Sequence, residues 1–225
     1  MRRFAALAAA FVAASCSVLF GAAVASAGTV VTMGGGSGIM IPLSASTGDA
    51  CTLTTIGHSD GRLIGLTAAH CFTPGKSVNV YSETQLRAGV LGHATYINRG
   101  LDYAVIQFDP NKVRPSASVG GVVIAGVSTA PLAFPEVACK TGRTTATTCG
   151  VVWISDGTIH TTQVCTAKGD SGAPIVVGDK LVGMVHGVYR IAGQYVPCVA
   201  PEAGPNIGPI LSDMNRHGYP HFAPA

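Results

Sequence analysis

The sequence predicts an all-β protein, and three observations carry that expectation. Short runs rich in Val, Ile, Thr and aromatic residues recur along the chain, punctuated by Gly, Pro, Asn and Asp. Helical periodicity fails, because glycine and β-branched residues interrupt nearly every window. Charged residues make up 11% of the chain while glycines number 29, the balance of a compact β-rich protein and not of a disordered one. A sandwich or a barrel fits this cadence.

The first 27 residues read as a signal peptide. Arg2 and Arg3 form a basic start, Phe4 to Val24 is apolar, and Ala25-Ser26-Ala27 offers the small residues a signal peptidase requires. Cleavage is expected before Gly28. A membrane-spanning helix is the competing reading, against which the small residues and the Ala-x-Ala ending argue. Lipidation of Cys16 is disfavoured because Ala13 is a poor upstream match. The mature chain is therefore expected to be secreted and extracellular, with no membrane anchor after cleavage.

Without Arg2 and Arg3 the net charge falls from +3 to about +1. No basic block remains, so nucleic-acid binding has no support. Removing Cys16 leaves Cys51, Cys71, Cys139, Cys149, Cys165 and Cys198, an even set in an exported chain that suggests three disulfides. Sequence alone leaves the pairing open. Metal binding, the competing use of cysteines, lacks a Cys-x-x-Cys spacing, and no metal or organic cofactor is expected.

In chain order the candidate strands are Ile39–Ile41, Cys51–Ile56, Arg62–Thr67, Ser77–Tyr81, Ala88–Leu91 and Tyr103–Phe108. A second set follows at Val122–Ala125, Val137–Lys140, Cys149–Ser155, Thr158–Gln163, Ala173–Val177, Lys180–Val185 and Gln194–Cys198. One helix is expected, Ile210–His217, after Pro209 and before Gly218-Tyr219-Pro220. The polar, turn-forming stretch from Asp109 to Gly121 is the best linker. It divides the mature chain into two halves, 28–115 and 116–225.

Three short segments carry chemistry. Gly169-Asp170-Ser171-Gly172-Ala173-Pro174 places a serine in a glycine-flanked turn, where backbone N–H groups can gather around a developing oxyanion. Serine is a poor nucleophile unless an imidazole takes its proton, and Thr67-Ala68-Ala69-His70-Cys71 supplies one. Asp102, which opens the apolar run Tyr103-Ala104-Val105-Ile106, is placed to orient that imidazole. Each segment alone has a bland reading: a common turn, a packed histidine beside a disulfide, a turn aspartate. Together, in the order His, Asp, Ser, on an exported β-rich chain, they point to a serine protease with its site in the cleft between the halves.

These motifs resemble those of chymotrypsin-like serine proteases, in particular the bacterial branch of streptogrisins and α-lytic protease. The resemblance rests on Thr67–Cys71, Asp102–Val105 and the stretch from Cys139 to Pro174. It implies two antiparallel six-stranded β-barrels with a C-terminal helix, and disulfides Cys51–Cys71, Cys139–Cys149 and Cys165–Cys198. It also implies a monomer that acts on protein or peptide substrates. Ser171 is expected as nucleophile, His70 as base and Asp102 as the acid that holds it. The N–H groups of Gly169 and Ser171 are expected as the oxyanion hole. Asp170 is expected either to pair with a buried Lys140 and so set the oxyanion turn, or to face an exposed loop lysine that does nothing. Little or no pro-segment is expected.

The chain departs from the family pattern at Ala173 and along the edge Val185 to Val188. Ala173 stands where a second glycine is usual. Val185-His186-Gly187-Val188 replaces the usual Ser-Gly-Gly edge. His186 is read first as a packed histidine, with a hydrogen bond to Asp102 or service to an acidic substrate side chain as the alternatives. The substrate pocket is assigned to Lys168, His186, Gly187 and Val188. Val188 narrows it, and no acid occurs from Gly157 to Cys165, so cleavage after Lys or Arg is not expected. Small or medium apolar residues, or acidic ones, remain as the preferred residue before the cut. An inert binding module on the same fold and a serine esterase are the competing functions.

Overall fold

The computed structural model describes residues 29–225, so the expected signal peptide and Cys16 lie outside it. Strand formation follows burial. Tyr103–Phe108 is apolar almost without a break because both of its faces are covered. Ala104, Ile106 and Phe108 point into the core of the first half, with Val31, Ile39, Leu53, Ile56 and Val80. Tyr103 and Val105 point the other way, onto Ile124, Val176, Met184 and the helix residues Ile207, Ile210 and Met214. The neighbouring strand Arg62–Ala68 splits in the same manner, Leu63 and Ala68 facing one core, Ile64 and Leu66 the other. A third cluster, including Leu132, Ala138, Val152, Val164, Ile175 and Val185, fills the second half.

Two curled eight-stranded sheets result. The first runs Ala223–Pro224, Thr55–Ser59, Arg62–Ala68, Tyr103–Phe108, Gly92–Asn98, Asn79–Ser82, Gly38–Pro42, Gly48–Thr52. The second runs Gly126–Val127, Lys180–Met184, Pro174–Val177, Val137–Gly142, Ala146–Ser155, Ile159–Thr162, Glu202–Pro205, Gly187–Val188. Six strands each were expected, and short edge pieces account for most of the excess. The rest arises where the expected strand Cys51–Ile56 breaks in two, Gly48–Thr52 and Thr55–Ser59. There the backbone changes partners: Leu53 N donates to Ser37 O, and the next amide, Thr54 N, donates to Leu66 O.

Pairing is not wholly antiparallel. Val31–Gly34 lies parallel to Val113–Ser116, and Gly126–Val127 parallel to Lys180–Leu181. The first of these pairs puts a strand inside the stretch read as linker, and Val31, Met33 and Val113 are buried in the first core. Gly92–Asn98 is a strand where Ala88–Leu91 was expected, and Leu86–Ala88 is a 3-10 turn. The helix is Ile207–Arg216, starting three residues early with Asn206 ahead of it. Pro209 falls in its first turn, where the amide it lacks would have had no helical partner. The three disulfides join Cys51 to Cys71, Cys139 to Cys149 and Cys165 to Cys198. No helix among the described residues is long and apolar enough to cross a membrane.

Candidate active site

His70 sits in a single 3-10 turn, Ala69–Cys71, which follows directly from the buried strand Arg62–Ala68 and is tied by the Cys51–Cys71 disulfide. Asp102 lies in the tight turn between Gly92–Asn98 and Tyr103–Phe108, with a left-handed φ of 49°. Its backbone and side chain both grip the histidine turn. Asp102 O accepts Ala69 N, Oδ1 accepts His70 N at 2.9 Å, and Oδ2 lies 2.8 Å from His70 Nδ1. Burial alone would raise the Asp102 carboxyl. The imidazoles of His186 and His70 outweigh burial and hold it well below the usual carboxylate range. An ionised carboxylate only accepts, so His70 Nδ1 must carry the proton and Nε2 is left as the basic nitrogen.

His186 is not packed away. Its side chain is 57% exposed, and its Nδ1 meets Asp102 Oδ2, the oxygen that also holds His70. Its hydrogen bond to Asp102 pushes its own pKa up against the opposing effect of burial. The first-preferred reading of a packed histidine is therefore corrected. His186 N donates to Ala203 O across the sheet, and that backbone anchor leaves the ring free to swing out over the acid.

The turn that carries Ser171 is moored to the first half by three threonines. Thr54 Oγ1 donates to Gly172 O at 2.6 Å, Thr52 Oγ1 donates to Gly169 O at 2.9 Å, and Thr52 N donates to Ser171 O. Thr67 Oγ1, three residues before His70, donates to Thr52 O and lies so close to Gly172 that a Cβ there would strike it. Gly172 and Gly169 both have left-handed φ, 83° and 98°, and Gly169 is crowded by Arg143 and Thr144. Asp170 N and Gly172 N are spent on Ala167 O and Val185 O. Among the described residues, the amides of Gly169 and Ser171 make no hydrogen bond, nor does Ser171 Oγ to His70.

Below the turn, Lys140 Nζ lies 3.4 Å from Asp170 Oδ2 with both side chains fully buried, so Lys140 is not an exposed loop lysine. Lys140 also donates to Ala146 O at 2.9 Å, and burial depresses it against the attraction of Asp170. Asp170 Oδ1 accepts Thr144 N and Thr145 N, while Oδ2 accepts Ala167 N and the Thr145 hydroxyl. Lys168 is exposed, and Val188 pairs with Glu202 at the sheet edge.

The trypsin family matches residues 27–202. The chain belongs to the trypsin family. Thermobifida fusca Protease A is similar in structure, 20% identical with a TM-score of 0.62 over 82% of this chain and 97% of that one. A glutamic acid specific serine protease that uses a histidine triad in substrate binding is 19% identical, with a TM-score of 0.65 over 87% and 100%. Serine protease 1 of Rarobacter faecitabidus is 32% identical over 139 residues, 54% of this chain. That match spans 26% of the relative's own length.

Within this trypsin-family fold the sequence pointed to His70, Asp102, Ser171, Asp170 and Lys140, but not to what holds them. The Thr52, Thr54 and Thr67 hydroxyls gave no signal, since threonine in a strand reads simply as a β-former. Arg143, whose Nε lies 2.7 Å from Glu83 Oε2, clamps the loop above Gly169 to the first half. His160 and Glu202 are both fully buried, with Nε2 and Oε1 3.5 Å apart. Thr162 Oγ1 donates to the other Glu202 oxygen at 2.7 Å.

Proposed function

We propose that this trypsin-family chain is a secreted serine endopeptidase that works through an acyl-enzyme. The observation that carries the reading is the double grip of Asp102 on His70, at the backbone N–H and at Nδ1. It sets the tautomer that leaves Nε2 as a base, on a turn packed against Gly172 and hence beside Ser171.

In this reading Ser171 Oγ attacks the scissile carbonyl carbon as its proton passes to His70 Nε2. Asp102 steadies the imidazolium without taking the proton. The carbonyl oxygen, now anionic, is received by the N–H groups of Gly169 and Ser171, which are not committed elsewhere. One such donor is worth about 3 kcal/mol of barrier. The C–N bond then breaks, and the leaving amine takes the proton from His70. Water repeats the sequence on the ester and frees Ser171. The buried Lys140–Asp170 pair keeps the turn in the shape these steps need. Catalytic hydrogen bonds are often long before substrate arrives, so a separate Ser171 hydroxyl is compatible with this chemistry.

For the residue before the cut, Val188 at the wall favours small or medium apolar side chains. Glu202 is fully buried, with Thr162 donating to one oxygen and His160 3.5 Å from the other, out of reach of a Lys or Arg side chain. The glutamic acid specific neighbour, with its histidine triad, keeps acidic residues open through His186 and Lys168. The three disulfides suit an extracellular location.

A fluorophosphonate label followed by intact mass tests the reading. The folded protein is expected to take one adduct on Ser171, and Ser171→Ala none. Digestion of a diverse peptide library then reports the preferred residue. Absence of an adduct on folded protein would make the chain a binding module, and cleavage of esters without peptides would make it an esterase.

A further inference from the structure

Two imidazoles and a carboxylate converge in the open. One ligand atom each from His70, Asp102 and His186 lies within 4.8 Å of the other two. The two rings stand nearly perpendicular, at 85° with centroids 5.0 Å apart, so their Nδ1 atoms reach the same Asp102 oxygen from different directions. The side chains are 39%, 17% and 57% exposed, and solvent reaches all three. A cleft of about 290 Å³, walled by Leu101, Ile159 and Pro205, opens beside Asp102 and His186.

We propose that His70, Asp102 and His186 form a binding site for a divalent transition metal of the zinc type, and that an ion held there switches the enzyme off. The switching half rests on the peptidase reading above; the binding half does not. Nitrogen, nitrogen and carboxylate oxygen are the ligands of an open zinc site, with a fourth position left for water. Around a tetrahedral zinc, ligand atoms stand roughly 3.3 Å apart at bond lengths of about 2.0–2.1 Å. Nδ1 of His70 lies 2.8 Å from Asp102 Oδ2 and Nδ1 of His186 2.5 Å from it, so the rings need back off by about 0.5 and 0.8 Å, which exposed side chains allow. The backbones beneath are fixed, His70 by its disulfide-tied turn and His186 by its bond to Ala203 O. Arg99 lines the same cleft, but its guanidinium is drawn to Ala69 O and Phe72 O.

Binding is a ligand exchange. The Nδ1 proton of each imidazole leaves to solvent as the metal–nitrogen bonds form, and Asp102 exchanges two N–H donors for the cation. The atoms used are those that orient His70 for proton transfer. Metal and catalysis are therefore mutually exclusive.

The test titrates the secreted protein with Zn²⁺ by calorimetry and with Co²⁺ by visible absorption, with peptide hydrolysis followed in parallel. One ion per chain is expected, with a tetrahedral cobalt band, and activity lost in step with occupancy and restored by EDTA. His186→Ser is expected to weaken zinc binding by more than about 100-fold, beyond the loss of a mere outer partner. Each variant's zinc response is read against its own activity in EDTA. Equal zinc affinity in wild type and His186→Ser overturns the site and assigns the metal elsewhere, for instance to His217 beside Asp213 or His221 beside Asp60. Should His186→Ser fail to fold, imidazole NMR of the wild type decides: resonances of His70 and His186 that stay still on zinc addition also overturn it. A protein that binds zinc at these residues but never labels at Ser171 sinks the peptidase reading and leaves the site standing.

Discussion

Lys140 and Asp170 neutralise each other out of reach of water, Nζ 3.4 Å from Oδ2 with neither side chain exposed. The residue after Asp170 is Ser171, so this buried charge pair sits directly beneath the turn on which the proposed nucleophile rides. Asp170 also gathers three backbone N–H groups, from Thr144, Thr145 and Ala167, onto the same carboxylate.

Lys140→Ala would leave that carboxylate buried without its countercharge. Removing one partner of a buried pair costs about 3–5 kcal/mol. Urea unfolding is expected to show a loss of this size, and kcat/KM to fall with it as the turn relaxes. An unchanged midpoint together with unchanged turnover would leave the pair without a role.

Thr54→Val keeps the shape of the side chain and removes the hydroxyl that donates to Gly172 O. A buried acceptor left unpaired costs roughly 1–3 kcal/mol. The rate of fluorophosphonate labelling at Ser171 is expected to drop as well, because this bond moors the Ser171 turn to the half that carries His70. A stability loss with an unaltered labelling rate would make Thr54 a packing residue and nothing more.

Asp102→Asn should preserve the geometry while offering His70 Nδ1 an N–H in place of an acceptor. The wrong tautomer of His70 then has its proton on Nε2, where the base is needed. A fall in kcat on the order of 10⁴-fold is expected, with KM little changed. Loss confined to KM would place Asp102 in substrate binding instead.

The legible part of this protein is the part whose chemistry demands particular residues close together in the chain. Short motifs and their order flag His70 and Asp102, which the structure joins, and Ser171, the proposed nucleophile, and the disulfide pairs followed from the resemblance those motifs carry. Tyr103–Phe108 was legible because a strand buried on both faces has to be apolar throughout. Gly92–Asn98 was not, since His93 and Thr95 face outward and blur the pattern. Val113–Ser116 was hidden inside a turn-rich stretch, because its partner Val31–Gly34 lies at the other end of the half. His186 was misjudged for a related reason. Its neighbours are apolar in sequence, and nothing local says that the chain delivers it to an acid from a distant turn.

Asp213 is a further residue that no motif announced. It stands on the inner face of the C-terminal helix and accepts from Tyr103 OH at 2.8 Å, Asn98 Nδ2 at 2.7 Å and Tyr96 OH at 3.1 Å, all from the first half. Burial would raise its carboxyl, but the hydrogen bonds from Tyr103, Asn98 and Tyr96, with Arg216 beside it, bring it down from 3.8 to about 2. A group whose folded value is depressed contributes its full stability above its unfolded value, and loses it as pH falls through the folded one. The helix is thus expected to be held firmly near neutrality and released progressively between about pH 4 and pH 2. Asp102, also held below its ordinary value, loses its own contribution as the pH falls, so the wild type alone does not isolate the effect. Asp213→Asn does. Its urea midpoint should lie below that of the wild type near neutrality, and the gap should close as the solution is acidified toward about pH 2. A gap of constant size across that range would mean that the phenols and Asn98 hold the helix without help from the charge.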